Sequence, residues 1–426
     1  MNRMIRQMGI TLLLLAALGL ALSGCTDRRF INGPLAEAVP TGPVQEEVVF
    51  WHTYSDEETR VFENELLPLF AEHHPDIHIT AVRQPYTELL KTAIISRATS
   101  GRAPDVVRMD FIWVPQFIEL GLLYPVSSLP DFPAIKADMR SDALQTAYGN
   151  GDYYGLPLNM STKIAIYNRE LLKKAGYDSP PATLAEMVEL SRKNGYTFAF
   201  GEFSSWGFLP YFLGFGGQVL SPDWTRAGGY LNSKASIQAV ETMRGLYEEG
   251  ILGVSSLSER IDLWENVRSG KLLMIDEGPW YYSIYLNTKT VGDEVLRQTI
   301  PAPFPGSGGS VVGGEDVVIL KNTAHLDAAW TFSKWLVSPE VQEKMFRVGL
   351  LPTNIRTPVP AELGNSSYIE ATMQGLDNAF LRPSVPEWDK IDDMISKALP
   401  LIFTRVVTPE QGMNDAAQAI DALLAK

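Results

Sequence analysis

From residue 47 onward, short unbroken apolar runs alternate with segments in which apolar residues recur every three or four positions. The run at 48–51 (VVFW) is typical of a strand that is covered on both faces. Apolar residues between 61 and 70 have helical spacing, which ends before Pro75. The pattern then predicts a strand over 77–82, a helix over 86–100 and a strand over 105–109. This order indicates the start of a parallel α/β sheet.

A second series of the same kind begins after Gly155. Its predicted strands cover 162–167, 197–201, 272–275 and 316–320. Its predicted helices cover 168–175, 183–193, 234–249, 260–269, 324–337, 339–347, 366–380, 388–404 and 409–425. A chain of 426 residues is too long for one ordinary core, so the two series predict two α/β lobes.

The first 25 residues have a different pattern. Arg3 and Arg6 precede an apolar run over 10–22, which is short for a membrane-spanning helix of about 20 residues, and Leu-Ser-Gly-Cys ends the segment at Cys25. This order predicts a secretion signal. The last four residues resemble the lipobox of bacterial lipoproteins, which implies cleavage before Cys25 and a lipid anchor on it. An ordinary signal peptide with an unrelated cysteine is the alternative.

The composition of the chain excludes several kinds of site and partner. Cys25 is the only cysteine, which excludes disulfides, zinc–cysteine clusters and thiol catalysis in the rest of the chain. Residues 26–46 contain scattered Pro and Gly without any period and are predicted to be a flexible tether. Removing residues 1–25 takes away two arginines and no acids, so the net charge changes from −14 to −16. An acidic chain is a poor partner for nucleic acid.

An aromatic run, Trp280-Tyr281-Tyr282, follows the predicted strand at 272–275 in the order IDEGPWYY. Successive residues of a helix point about 100° apart, so these three rings cannot all face one core. Open α/β sheets place ligands at the carboxyl ends of their strands, which is where Trp280 falls. We therefore predict that Trp280 contacts a ligand, with Glu277 as a weaker polar candidate. The alternative is that the rings pack beneath the second lobe.

Several segments together resemble one family, the extracellular solute-binding proteins (family 1) of bacterial ABC importers. The matching segments, which span about 47–425, are VVFWHTYSDEETRVFENELLPLFAEHHPDI, GRAPDVVRMD with FIELGLLYPV, GDYYGLPLNMSTKIAIYNRELLKKAGYDSPPAT, NVRSGKLLMIDEGPW, VVGGEDVVIL with AAWTFSKWLVSPEVQ, and TPEQGMNDAAQAI. The best-known members bind maltose, maltodextrins or trehalose.

The resemblance implies an α/β fold of the periplasmic-binding-protein kind (type II-like), with a ligand cleft between two lobes that are joined by crossover strands. Lobe one would comprise 47–157 and 315–362, and lobe two would comprise 158–314 and 363–426. Crossings would fall near 156–162, 313–316 and 351–357. Hinge closure of such lobes around a ligand is a known domain motion.

The resemblance also implies ligand-binding residues. In the family, the Gly-Pro-Trp tryptophan lies against the ligand, which matches Trp280, and a glycine pair beside the ligand matches Gly313 and Gly314. A second stacking ring and a cleft acid match Trp388 and Asp110. Further candidates from the residues themselves are Asn159, Tyr54, Ser55, Glu277, Glu315, Trp206 and His52.

Structural alternatives remain open for several of these candidates. Asp110 and Ser55 are also good helix N-caps, Asn159 could be a turn amide in the hinge, and Trp206 lies in an aromatic segment that could belong to a core. Metal binding is not predicted. His73, His74 and His78 are interrupted by Pro75 and cannot share one helix face.

The predicted function is capture of a small polar solute, such as a sugar or oligosaccharide, and its delivery to the permease subunits of an ABC importer. The chain would act without a cofactor, as a monomer, anchored through its lipid on the outer side of the cytoplasmic membrane. The alternative is a secreted glycosidase, which would use two carboxylates about 5–10 Å apart from among Asp110, Glu277, Glu315 and Asp316. A third possibility is a surface scaffold without a ligand.

Overall fold

The computed structural model describes residues 46–257, 262–286, 288–306 and 309–425. The predicted signal at 1–25, with its anchor Cys25, lies outside the described residues. So does the predicted tether, except Glu46, which is the first residue of a strand and therefore not part of a tether. Within the described ranges, no helix is long and apolar enough to cross a membrane.

Strands and helices alternate along most of the described chain. The elements up to residue 168 are β1 (Glu46–His52), α1 (Asp56–Val61), α2 (Leu67–His73), β2 (Ile77–Arg83), α3 (Glu88–Thr99), β3 (Val106–Asp110), α4 (Val114–Glu119), α5 (Phe132–Asp138), α6 (Ser141–Leu144), β4 (Tyr148–Gly149), β5 (Asp152–Tyr153), β6 (Gly155–Thr162) and β7 (Ile164–Asn168). A π-helical turn over Phe62–Leu66 joins α1 to α2, and short 3₁₀ turns lie at Val126–Ser128 and Gln145–Ala147.

The middle of the chain contains α7 (Arg169–Lys174), α8 (Leu184–Asn194), β8 (Phe198–Phe200), α9 (Ser205–Gly214), α10 (Lys234–Glu248), β9 (Leu252–Val254), α11 (Leu263–Arg268), β10 (Met274–Glu277), α12 (Trp280–Leu286), α13 (Lys289–Gln298) and β11 (Thr299–Pro303). The last elements are β12 (Val312–Ile319), α14 (Leu326–Leu336), α15 (Pro339–Phe346), α16 (Ser367–Leu376), α17 (Trp388–Phe403) and α18 (Pro409–Leu424).

Five strands form a first sheet in the order β2-β1-β3-β12-β6. β1 runs parallel to β2 and β3, whereas β12 runs antiparallel to β3 and β6. Alternate residues of β1 enter separate cores: Phe50 packs with Phe62 and Phe332, and Trp51 packs with Val107. Both faces are therefore covered, as the unbroken apolar run at 48–51 predicts.

A second sheet has the order β11-β7-β10-β8-β9. β10 runs parallel to β8 and antiparallel to β7. Its residues also alternate between two cores, with Met274 packed with Tyr211 on one side and Ile275 packed with Tyr281 on the other. A third sheet consists of the two short strands β4 and β5, and the predicted α/β fold is confirmed.

Two of the first sheet's strands differ from their prediction. The predicted strand at 162–167 is two strands, because β6 pairs with β12 up to Thr162 and β7 pairs with β10 and β11 from Ile164. Lys163 alone separates them. β12 belongs to the first sheet along its whole length, so this strand already includes Gly313 and Gly314 and begins before the predicted start at 316. The predicted lobe boundaries at 157 and 314 therefore fall inside strands, and the division into lobes stays a prediction.

Candidate functional site

Three predicted residues, Asp110, Glu315 and Asn159, lie side by side across neighbouring strands of the first sheet. Glu315 of β12 is paired with Asp110 of β3 on one side and with Asn159 of β6 on the other. The Asn159 Nδ2 donates to Glu315 Oε2 at 2.7 Å, and Arg108 Nη2 lies 2.9 Å from the same oxygen. We call Asp110, Glu315 and Asn159 the polar row. Strand pairing alone brings these residues together.

Asp110 uses its two carboxylate oxygens differently. Oδ1 accepts from the backbone N–H of Ile112 at 2.9 Å, which is a local turn contact. Oδ2 accepts from the hydroxyl of Tyr86 at 2.5 Å. Tyr86 is 55% exposed and stacks on Trp113, with ring centroids 5.5 Å apart. Asp110 is itself only partly buried, so a lone pair of Oδ2 remains available beside an exposed aromatic ring.

Two tryptophans form a stack on the side of the second sheet. Trp206 of α9 and Trp280 of α12 have ring centroids 5.7 Å apart and an interplanar angle of 23°. Both rings are partly buried. Glycines make the room for them, because a Cβ on Gly278 would lie 2.3 Å from the Trp280 ring and one on Gly313 would lie 2.7 Å from the Trp206 ring. We call Trp206 and Trp280 the tryptophan pair.

Strand β12 brings the tryptophan pair close to the polar row. Gly313, which contacts Trp206, precedes Glu315 by two residues in this strand. A second link between the two sheets is an ion pair of Lys91 in α3 with Asp389 in α17. Groups from both sheets therefore converge at one place, as the predicted cleft requires. Whether these groups bind a ligand stays a prediction.

Two cations flank the Trp206 ring, and sequence reasoning missed both. Lys163 Nζ and Arg382 Cζ each lie 5.7 Å from the ring centroid. Lys163 is paired with Asp276, with Nζ 2.5 Å from Oδ2, and the Tyr211 hydroxyl donates to Oδ1 at 2.9 Å. One signal could have found Lys163: it is the single charged residue in the otherwise uncharged segment 158–167 (LNMSTKIAIY).

Three predicted site residues, Trp388, Tyr54 and His52, are buried in cores, and these predictions are corrected. Two others, Ser55 and Glu277, bond to neighbouring groups of the protein and stay predictions. Trp388 is 1% exposed and packs in the core beneath the second sheet with Ile391 and Leu399. An apolar face of α17 explains this, because Trp388 and Ile391 are three positions apart. The ring that stacks on Trp280 is Trp206 rather than Trp388.

Tyr54 and His52 are also buried rather than presented at the cleft. Tyr54 is 2% exposed and packs against Phe62, and the Arg108 guanidinium lies 4.7 Å from its ring centroid. His52 is fully buried and stacks on Phe50 at 5.6 Å. Burial, with help from nearby Arg108, lowers the pKa of His52 to about 3, so it is neutral at physiological pH.

Ser55 and Glu277 use their polar atoms locally. The Ser55 hydroxyl accepts from the Glu58 backbone N–H, and the Glu58 carboxylate accepts from the Ser55 backbone N–H, which is a capping box at the start of α1. Glu277 accepts from the Trp264 indole N–H and from the Gly278 backbone N–H, each at 2.9 Å. Ser55 therefore stabilises the start of α1, and Glu277 links the end of β10 to α11.

Asp316 is a fully buried acid next to the polar row. Thr146 Oγ1 lies 2.6 Å from the Ala143 carbonyl and 3.1 Å from Asp316 Oδ2. Because a carbonyl can only accept, Thr146 has one hydroxyl proton for two acceptors, and protonation of Asp316 would relieve this shortage. Burial raises the pKa of Asp316 well above its ordinary value, and the charges of Asp110 and Glu315 raise it further.

Asp316→Asn should reduce the pH dependence of stability. The folded protein holds this proton more tightly than the unfolded chain, so the stabilisation is complete below the ordinary pKa of 3.8 and is lost as the pH rises toward the raised folded value. Urea unfolding over this window should show a smaller decline for the variant than for the wild type. The exposed Asp178→Asn is the control. Equal declines in wild type and Asp316→Asn would contradict a protonated Asp316.

The described part of the chain contains no group of three or more His, Cys, Asp or Glu side chains that could hold a metal ion. The candidate site consists of the tryptophan pair and the polar row. Two α/β sheets that are linked by crossing strands and supply stacked rings and hydrogen-bonding groups to one place define the class of two-lobed binding proteins.

Comparisons with known proteins agree with this class. A family model described as "Bacterial extracellular solute-binding protein" matches residues 66–362, and the chain belongs to this family. A binding protein of Brucella abortus is 25% identical over 427 residues, which cover 97% of this chain and 98% of that protein. A maltooligosaccharide ABC transporter solute-binding lipoprotein of Streptococcus pneumoniae is 25% identical and matches 70% of this chain and 72% of its own length.

Among solved structures, the GacH receptor of Streptomyces glaucescens, which has been crystallised unliganded and with acarbose, superposes with a TM-score of 0.79. It is 24% identical, and the match covers 90% of this chain and 99% of that chain. At this identity the similarity shows the fold, which is the two-lobed fold predicted from the sequence.

Proposed function

We propose that this protein captures a sugar or oligosaccharide between its two sheets and delivers it, chemically unchanged, to the permease of an ABC importer. One observation carries the proposal: the stacked Trp206 and Trp280 lie next to the strand that contributes Glu315 to the polar row. Sugar rings have apolar C–H faces and hydroxyl edges, so they need aromatic surfaces and hydrogen-bonding groups at the same place.

The relatives support the proposal. The pneumococcal relative is named for maltooligosaccharides and for an ABC transporter, and the Streptomyces receptor was solved with acarbose. The pneumococcal relative is also named a lipoprotein, which supports a lipid anchor at Cys25. In this proposal the protein is a monomer tethered at the outer side of the cytoplasmic membrane, where it meets the permease subunits.

The proposed mechanism is closure around the ligand. A ligand that contacts the polar row on the first sheet and the tryptophan pair on the second gains both sets of contacts only when the sheets are close together. Lys163 alone joins β6 to β7 and is a natural position for the bend. The closed form would then be the form that the permease receives.

The proposal further holds that the carboxylates bind and do not catalyse. Glu315 is engaged by Arg108 and Asn159, and Asp110 by Tyr86, so each is already hydrogen-bonded by the protein. A glycosidase needs one protonated and one ionised carboxyl group on opposite sides of the bond that it cleaves. Steady release of reducing ends from an oligosaccharide would overturn this part of the proposal.

Trp280→Ala should weaken binding about 10- to 100-fold, because a ring that covers a ligand face is lost. Calorimetry of residues 27–426 against neutral mono- and oligosaccharides first identifies the sugar that binds the wild type. The variant is then measured with that sugar. Trp224→Ala is the matched control, since Trp224 is also partly buried but lies in the turn that follows Ser221. Equal affinities of wild type and Trp280→Ala would place the binding site elsewhere.

A further inference from the structure

Arg382 is a buried cation that forms no ion pair with any described residue. It lies in the segment between α16 and α17 and is 8% exposed. No described carboxylate is within ion-pair distance of its guanidinium, and its Nε is buried without a hydrogen-bond acceptor. The other three cations at the site differ in this respect. Arg108, Lys163 and Lys91 are each paired with an acid.

The guanidinium lies where the two sheets meet. Its Cζ is 5.7 Å from the Trp206 ring centroid, and the side chain lines a small cavity together with Phe111, Thr146 and Val312. Ser384 lines the same cavity, and its hydroxyl is also buried without a partner. Two unsatisfied hydrogen-bonding side chains therefore border one space beside the tryptophan pair.

Leaving a guanidinium buried and unpaired is costly for a protein. Such an arrangement persists where a ligand supplies the missing acceptor, because the ligand then gains the full value of a charge-assisted hydrogen bond. The planar fork of N–H groups matches two neighbouring oxygen atoms better than the point charge of a lysine does.

The charge of the ligand follows from the acids nearby. Asp392 is held by Ser205, whose backbone N–H and hydroxyl donate at 2.6 and 2.8 Å, and Asp110 is held by Tyr86. Both carboxylates therefore accept hydrogen bonds from neutral donors, and the carboxylate of Asp392 interacts electrostatically with the guanidinium of Arg382. A phosphate or carboxylate on the ligand would be repelled by them, whereas a hydroxyl can accept from Arg382 and donate to an acid.

We propose that Arg382, together with Ser384, forms a polar subsite that donates hydrogen bonds to adjacent oxygens of an uncharged sugar. The subsite makes Arg382 a specificity-determining residue that favours neutral sugars over acidic ones. This inference rests on the proposed function, because it concerns the same ligand.

The experiment compares wild type, Arg382→Met and Arg382→Lys by calorimetry and by thermal unfolding without ligand. The first probe is the neutral sugar of the panel that binds the wild type. The second measurement compares the affinity for glucuronate, an acidic sugar, with the affinity for glucose, its neutral counterpart. We expect Arg382→Met to weaken binding about 10- to 100-fold. Arg382→Lys should weaken it as well, because the fork is lost although the charge remains. The unliganded Arg382→Met should melt at the same or a higher temperature, because an unpaired buried charge has been removed.

If Arg382 contacts the ligand, its replacement by Met lowers the affinity without lowering the melting temperature. If Arg382 has a structural role, the replacement lowers both the affinity and the melting temperature. Arg97→Met is the matched control: its guanidinium lies 5.1 Å from the Trp51 ring centroid, and the side chain is exposed on α3. Unchanged affinity in Arg382→Met, a lower melting temperature, or tighter binding of the acidic sugar would each overturn the inference while the proposed function stands. Failure of every sugar to bind the wild type would overturn the proposed function and the inference with it.

Discussion

Lys163→Met should lower the free energy of unfolding by about 3–5 kcal/mol. Lys163 and Asp276 are 4% and 3% exposed, and their charged atoms are 2.5 Å apart. Methionine removes the cation but leaves the carboxylate buried, and an uncompensated buried charge is strongly destabilising. Urea unfolding at neutral pH, with the slope checked for two-state behaviour, measures the loss.

Replacing Lys163, Asp276 and Tyr211 together tests whether the loss of stability comes from the carboxylate that is left buried without its cation. The triple variant Lys163→Met, Asp276→Leu, Tyr211→Phe removes both charges and the hydroxyl that donates to Asp276. We expect it to be more stable than Lys163→Met alone, because no polar atom of the network stays unpaired. The control is Lys397→Met, which breaks the exposed pair with Asp393 and should cost less than about 1 kcal/mol. Similar losses in Lys163→Met and Lys397→Met would refute the argument.

Gly314→Ala should destabilise the protein by about 3–5 kcal/mol, from backbone strain and overpacking combined. Gly314 has a φ of +142°, a conformation that residues with a Cβ rarely adopt. The added carbon would lie 2.2 Å from the backbone oxygen of Asn159 and 2.6 Å from the Phe111 ring. Because a backbone atom cannot swing aside as a side chain can, β12 and β6 would have to move apart. Denaturant unfolding measures the change.

Gly245→Ala is the matched control for this glycine. Gly245 lies inside α10, its φ is ordinary for a helix, and a Cβ there meets nothing within 4 Å. Alanine should therefore stabilise the protein by about 0.5–1 kcal/mol. Opposite signs for the two glycine variants are expected. A Gly314→Ala protein as stable as the wild type would show that β12 and β6 are not as tightly apposed as the structure has them.

Much of the fold follows from local pattern. The apolar run at 48–51 and the helical spacing between 61 and 70 predict a strand and a helix that the structure contains. Such predictions succeed because the period of apolar residues depends only on neighbours in sequence. The helix α9 was missed, since its residues are apolar on all sides, contain Pro210 and show no polar face.

Some residues of the candidate site could be predicted from local sequence, and others could not. Asp110 lies at a strand end that the sequence predicts, and Trp280 follows a short strand and a Gly-Pro turn. Trp206 and Trp388 could not be ranked from their positions in the sequence, since each lies near the start of a helix. Only packing separates them, by placing Trp388 in a core and Trp206 on Trp280.

The sequence by itself determined the alternation of strands and helices, the acidic charge, the predicted export segment and the positions where the chain leaves a strand. Tertiary structure alone decided that Glu315 would lie between Asp110 and Asn159, that Lys163 would be paired with Asp276, and that Arg382 would form no ion pair among the described residues. The physical reason is how far apart in the sequence the interacting residues lie. Periodicity and turns depend on residues a few positions apart, whereas ion pairs and ring stacks join side chains that are distant in the chain and meet only when the sheets have formed.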